Sequence, residues 1–371
     1  MARIIRVGGS SSATSWHDAL NDLRADDVLM LGPGYYYLPR GRELTDITIK
    51  GTGSLAEDTT IYGNISVSED SRYVTLENLC VNTTTDNNSI FVPIETNGYV
   101  TLRNCCVKGY GTDTAAIAIN GKVTLELYST KITGGSVSMY ENADFRLEMN
   151  DSQIDYPSEN YCALALEGHG TAIINNSNIR GSINTFLKTN AELDLNNSEV
   201  DYVLLHGQTW MNILNSTLTA KDDSCLYLSD DCWSNIVNSK FNGGIYIDKK
   251  THTIIQNSTI DRMIVVDEAK MTMNNSIVME HADFQDKSSC EATRVTFIGN
   301  MNYEYFLALS GHAQLNGHDL ILHPNQADLA VQDEAKLKTN VLAAQTDTLN
   351  VEYNKRPNVY ILGMHWTAKK K

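Results

Sequence analysis

Apolar and polar residues alternate in short stretches along most of this 371-residue chain. A period of two marks strands with one buried face, and strands this short and evenly spaced leave no room for crossover helices. One pattern recurs: apolar-x-apolar, then Asn or a small polar residue, then Ser-x-apolar. Copies include Ile173-Ile174-Asn175-Asn176-Ser177-Asn178-Ile179, Ile213-Leu214-Asn215-Ser216-Thr217-Leu218 and Ile255-Gln256-Asn257-Ser258-Thr259-Ile260. With the Ser position as anchor, the series runs Leu79, Cys105, Thr130, Ser152, Ser177, Ser198, Ser216, Ser239, Ser258, Ser276, Thr293 and His318. The mean step is about 22 residues, in the range where self-similarity at a fixed period means a solenoid.

Each repeat therefore reads as one coil of three short strands. Stacking by parallel pairing at about 4.8 Å makes eleven steps roughly 53 Å long. The Asn suits a tight corner, because it tolerates a left-handed backbone and its amide can bond the next coil's Asn. The same corner generates Asn-x-Ser/Thr triplets by default, whatever their likeness to glycosylation acceptors. Near the start, Ser15-Trp16-His17-Asp18 resembles a capping box, and Trp16, Ala19, Leu20 and Leu23 share one helical face. The fold class predicted is all-β: a right-handed parallel β-helix of about 12 coils with a short N-terminal capping helix. The expected divisions are a cap over residues 1–40, coils over 41–340, and a C-terminal cap and tail over 341–371.

Charge narrows the partners. The formal net charge of −16 opposes nucleic acid and anionic membrane surfaces, and no segment is apolar enough for a membrane helix. The opening run Met1 to Val7 is too short for a signal peptide, which predicts a cytoplasmic protein, or an extracellular or cell-surface one if a leader has been removed. The seven cysteines show no paired metal-binding spacing, so neither metal nor cofactor is expected. Cys80 and Cys106 hold the same place in successive repeats and can either stack as thiols or bridge.

The capping segment, the strand leading to Gly32-Pro33-Gly34-Tyr35, and Ile47-Thr48-Ile49-Lys50-Gly51 together resemble the opening of pectin-lyase-like right-handed β-helix proteins. The repeat extends that resemblance over nearly the whole chain. The superfamily includes polysaccharide lyases and hydrolases, tail spikes and adhesins, so the resemblance implies a fold more than an activity.

Likeness to polygalacturonases is partial. Asp222-Asp223-Ser224-Cys225 resembles their Asp-Asp-Cys segment with Ser224 inserted, and Asp201 lies one coil earlier. Such enzymes need paired carboxylates as acid and base, so Asp201, Asp222, Asp223 and Arg262 are the catalytic candidates of a uronate-directed hydrolase. The pattern departs elsewhere. Asn242-Gly243-Gly244 stands where Gly-His-Gly is expected, Gly168-His169-Gly170 comes too early, and Met263-Ile264 follows Arg262.

Strand alternation also predicts a column of outward residues on successive coils: Ala165, Leu187, Leu204, Tyr227, Tyr246 and Val265. A loop can cover it, or it can be an interface of a weak homo-oligomer. In a third reading Tyr227 and Tyr246 form a sugar platform, with Asp201, Asp222 and Asp223 accepting hydroxyl bonds. The sequence reading is thus a non-catalytic binding or scaffolding protein with carbohydrate or cell-surface material as its ligand. A polygalacturonase-like enzyme with an altered site, or a purely structural assembly module, are the alternatives.

Overall fold

In the computed structural model of the chain, residues 2–8, 13–83, 85, 87–111, 114–158, 160–355 and 358–370 are described, the side chains of 221–223 aside. The chain divides into two compact units, residues 1–194 with 198–200, and residues 195–197 with 201–371. Each is a stack of coils.

In the first unit one row of strands starts at Ile4–Val7 and Val28–Leu31 and proceeds through Ile47–Gly51, Tyr73–Glu77, Asn97–Arg103 and Lys122–Tyr128 to Asp144–Asn150 and His169–Asn175. Each pairs in parallel with the strand one coil away. Register puts like on like: Leu29, Ile49, Leu76, Leu102, Leu127, Met149 and Ile174 form one inward column, all fully buried. In the second unit Leu226, Ile245, Met263, Ala282, Leu307 and Leu329 form a comparable column, and Leu228, Ile247, Val265, Phe284, Leu309 and Val331 another beside it. Burying aliphatic side chains contributes about 1.5–3 kcal/mol each, so an uninterrupted column is the main source of cohesion. At the C-terminal end of the second unit, His365–Lys370 pairs in parallel with Thr348–Tyr353.

The corner after this first row is built as the repeat predicts, with one change of emphasis. Asn78, Asn104, Asn176, Asn197, Asn215, Asn238, Asn257 and Asn275 all adopt positive φ of 49° to 51°. Amide contacts between corners include Asn104 Nδ2 to Asn78 Oδ1 at 2.6 Å and Asn215 Nδ2 to Asn197 Oδ1 at 3.2 Å. The regular ladder, however, belongs to the buried residue that follows. In the first unit the Ser152 amide donates to Ser177 Oγ at 3.1 Å and the Ser177 amide to Ser198 Oγ at 3.1 Å. In the second, the amides of Ser216, Ser239 and Ser258 donate to the Oγ of Ser239, Ser258 and Ser276 at 3.1–3.2 Å. The hydroxyls of Ser177, Ser239, Ser258 and Ser276 in turn donate to the carbonyl two residues back, as Ser239 does to Val237 at 2.8 Å. Serine thus satisfies a buried corner N–H that the strand ladder leaves over. The last two anchors are displaced: Arg294 and Asp319 take the left-handed position, so Val295 and Leu320, not Thr293 and His318, continue the series.

The predicted N-cap is present, with the Ser15 hydroxyl also donating to the Asp18 carboxylate at 2.6 Å. Ser15 Oγ accepts from the Asp18 amide at 3.1 Å and caps a helix of only six residues, Trp16–Asn21. Ala19 and Leu20 are buried, and Trp16 Nε1 donates to the Tyr37 carbonyl at 2.8 Å.

Candidate functional site

Strands of the second and third rows merge in the second unit. Lys240–Ile247, Thr259–Val265 and Ile277–Phe284 each run through a bend near Gly244, Arg262 and His281. This bend carries the functional candidates. Asp201 is half-buried on Glu199–Leu205. Asp222 and Asp223 lie on a bulge: Thr219 pairs with Asn242 and Ser224 with Gly244, so residues 220–223 face Gly243 alone. Their side chains lie outside the described residues. Arg262 pairs in register with Gly244 and His281. Its Nη1 donates to Tyr303 Oη at 3.3 Å and its Nε stands 3.9 Å from Glu280. The ring of Tyr303 stacks on His281, centroids 5.2 Å apart and planes 8° from parallel. Two residues beyond His281, burial pushes the Asp283 carboxyl above its usual range, against the bond it accepts from Gln285 at 2.7 Å.

Gly168-His169-Gly170 has a packing explanation. A Cβ at Gly170 would stand 1.9 Å from the Phe145 carbonyl and one at Gly168 2.2 Å from that of Ala143. His169 between them opens a strand and is exposed.

The outward column is corrected by the register. Tyr227 pairs with Tyr246, and Tyr246 with Ile264. Val265 pairs with Ile247 and is fully buried, because a single-residue shift in a period-two strand inverts every side chain. Ile264 is the outward residue there. In the first unit Ala165 pairs with Asn184 and is buried, while Leu187 sits in the turn after that strand, 73% exposed. Leu204 is half-buried between the inward Val203 and Leu205. The rings of Tyr227 and Tyr246 stack at 5.0 Å and 2°. Tyr227 Oη donates to Asp248 at 2.8 Å, and burial followed by this carboxylate pushes the phenol up to about 12.

A cleft of about 930 Å³ opens beside the bend. It crosses five coils of the second unit, from Asp261 through Met279–Glu280, Ile298–Met301 and Pro324–Asp328 to Gln345–Asn350. Carboxylates (Asp261, Glu280, Asp328) and amides (Asn300, Asn325, Gln326, Gln345, Asn350) alternate with apolar Met279, Ile298, Met301 and Leu349. Asn300 Nδ2 donates to Glu280 at 3.2 Å, and Asn350 Nδ2 to Asp328 at 3.3 Å. The sequence reading missed this cleft. Its residues follow the strands and not the motif, and they meet only through stacking. It missed a second feature too. Trp210 and Trp233 stack at 5.2 Å with His252 next in line at 4.4 Å, and Trp210 remains 57% exposed. Two tryptophans at the same place in adjacent repeats were the available signal.

Among the described residues no group of three or more His, Cys, Asp and Glu side chains is arranged to hold a metal, and no helix is long and apolar enough to cross a membrane.

The register and the three-strand coils decide the architecture. Each unit is a parallel β-helix. No family model and no curated protein matches the chain. A solved structure, that of pectate lyase Pel9A, aligns over 90% of this chain and 78% of its own, at 11% identity and a TM-score of 0.20. A score that low carries no weight for the fold, which rests on strand pairing, nor for any activity.

Proposed function

We propose that the protein binds neutral carbohydrate chains, without cleaving them, in the cleft of the second unit. The observation that supports this most is the lining. Amides donate and accept, carboxylates accept two bonds each, and vicinal hydroxyls need both. Apolar side chains between them match the CH faces of a sugar ring. Clefts lined by one sign of charge repel ligands of that sign, so the acidic rim and the net charge of −16 favour a neutral glycan over a uronate polymer. Titration calorimetry with neutral and uronate oligosaccharides tests it. Asn300→Ala combined with Asn350→Ala should weaken binding about tenfold, the loss of one or two hydrogen bonds. Equal affinity for uronates, or no effect of the double substitution, would sink the proposal.

One observation favours the hydrolase alternative. Asp283 retains its proton to higher pH than an ordinary carboxyl and lies one coil from Ile264 on the outward face, as a general acid could. Sugar release by the wild type that Asp283→Asn abolishes would move the function to that class.

A further inference from the structure

The seven cysteines are all free, and two are placed unlike the rest. Cys80 and Cys106 pair directly on neighbouring parallel strands, Cys80–Asn82 and Cys106–Lys108, in the first unit. Val81 and Val107, next to them, are fully buried in the core, so alternation sends both sulfurs to the outer face. The short turn Ala56–Asp58 packs against the Cys80 strand, and Cys80 is 3% and Cys106 6% exposed. Residues opposite each other across parallel strands are about 4.8 Å apart, within the range of about 4.4–6.8 Å that a disulfide spans.

The two thiols face each other in register, and they divide the proton unequally. The Cys80 thiol, with the nearby Lys108 and Lys131 cations, holds Cys106 below the ordinary thiol range, while the same pairing and burial push Cys80 up. Such values belong to the pair. Burial pushes the other thiols up, Cys105, Cys225 and Cys232 to about 12, with Cys162 and Cys290 also raised. One thiol of the seven is shifted towards thiolate, and its in-register neighbour is a second thiol.

We propose that Cys80 and Cys106 form a peroxide-reactive site that closes to a disulfide between adjacent coils. The Cys106 thiolate attacks one oxygen of a small peroxide, forming an S–O bond as the O–O bond breaks. The departing hydroxide takes up a proton to leave as water, and Cys106 becomes a sulfenic acid. The Cys80 sulfur then attacks the Cys106 sulfur, the S–O bond breaks, and the Cys80 proton leaves with the oxygen as a second water. The peroxide is reduced by two electrons and the two thiols are oxidised to one disulfide. Cys80 is the resolving residue, and no other group is required.

Full-length protein treated with hydrogen peroxide and digested under non-reducing conditions is the test. The expected product is a cross-linked pair of peptides carrying Cys80 and Cys106, lighter by two hydrogens and restored by reductant. Cys80→Ser should stop at a sulfenic acid on Cys106 that a cyclic dione traps. Cys106→Ser should slow the first oxidation of the protein about tenfold. Cys80→Ala and Cys106→Ala, with circular dichroism of every variant, separate lost chemistry from lost fold. First oxidation at the half-exposed Cys162, or sulfenic acid on Cys106 that never bridges in folded wild type, would overturn the proposal.

Discussion

Replacing Ser239 by alanine deletes one hydroxyl from a buried ladder. That hydroxyl accepts the Ser216 amide at 3.2 Å and donates to the Val237 carbonyl at 2.8 Å, in a residue 4% exposed. Alanine fits the space, so packing changes little. The Ser216 N–H loses its acceptor where water does not reach it, and an orphaned buried donor costs about 1–3 kcal/mol. Asn238, one residue earlier, is exposed and contributes through its backbone, at φ 51°. Asn238→Ala should cost about 1 kcal/mol, the strain of a left-handed alanine, while Asn238→Gly should be near neutral. Urea melts rank the three variants, and hydrogen exchange at the Ser216 amide localises the effect, since coils couple mainly to their neighbours. The order expected is Ser239→Ala, then Asn238→Ala, then Asn238→Gly. A Ser239→Ala variant within a few tenths of a kcal/mol of wild type, with unchanged Ser216 exchange, would refute the serine ladder.

Further outcomes follow from the register and the charges. Val265→Asp buries an unpaired charge and should cost more than about 4 kcal/mol, whereas Ile264→Asp next to it should fold; thermal melts compare them. Asp27, 2% exposed, accepts two bonds from Arg3 at 2.9 and 2.6 Å, and these hold its carboxyl below the usual range. A depressed folded value stabilises fully above the unfolded value of about 3.9 and is lost as pH falls through the folded value. Hydrogen exchange near Ile4–Val7 should therefore accelerate below about pH 4, and Asp27→Asn should remove that pH dependence. If the outward face of Leu204, Tyr227, Tyr246 and Ile264 is a self-association surface, sedimentation should show a weak oligomer strengthened by salt and abolished by Leu204→Asp with Tyr227→Asp.

The repeat made the coil legible because core, corner and ladder all recur at one spacing. Asn and Ser of each motif copy sit at fixed places, and only their division of labour needed the structure: a polar residue beside a corner looks exposed until its side chain is seen to point inward. Alternation placed Tyr227 and Tyr246 outward correctly. It failed at Val265 because Arg262 falls at a bulge, where Phe241 and Gly244 of one coil oppose Ile260 and Arg262 of the next. A skipped residue reverses inside and outside. The cleft was invisible for a different reason. Asp261, Asn300, Asn325 and Asn350 share no motif, and the loops between strands set where each one lies.

The central claim, a cleft that takes neutral glycans, is tested most directly by titrating the wild-type protein with neutral and uronate oligosaccharides of equal length in one buffer. Saturable binding of a neutral chain, weakened about tenfold by Asn300→Ala with Asn350→Ala and accompanied by no release of sugar, is the predicted result. Preference for the uronate chain, or binding that the double substitution leaves untouched, would contradict it.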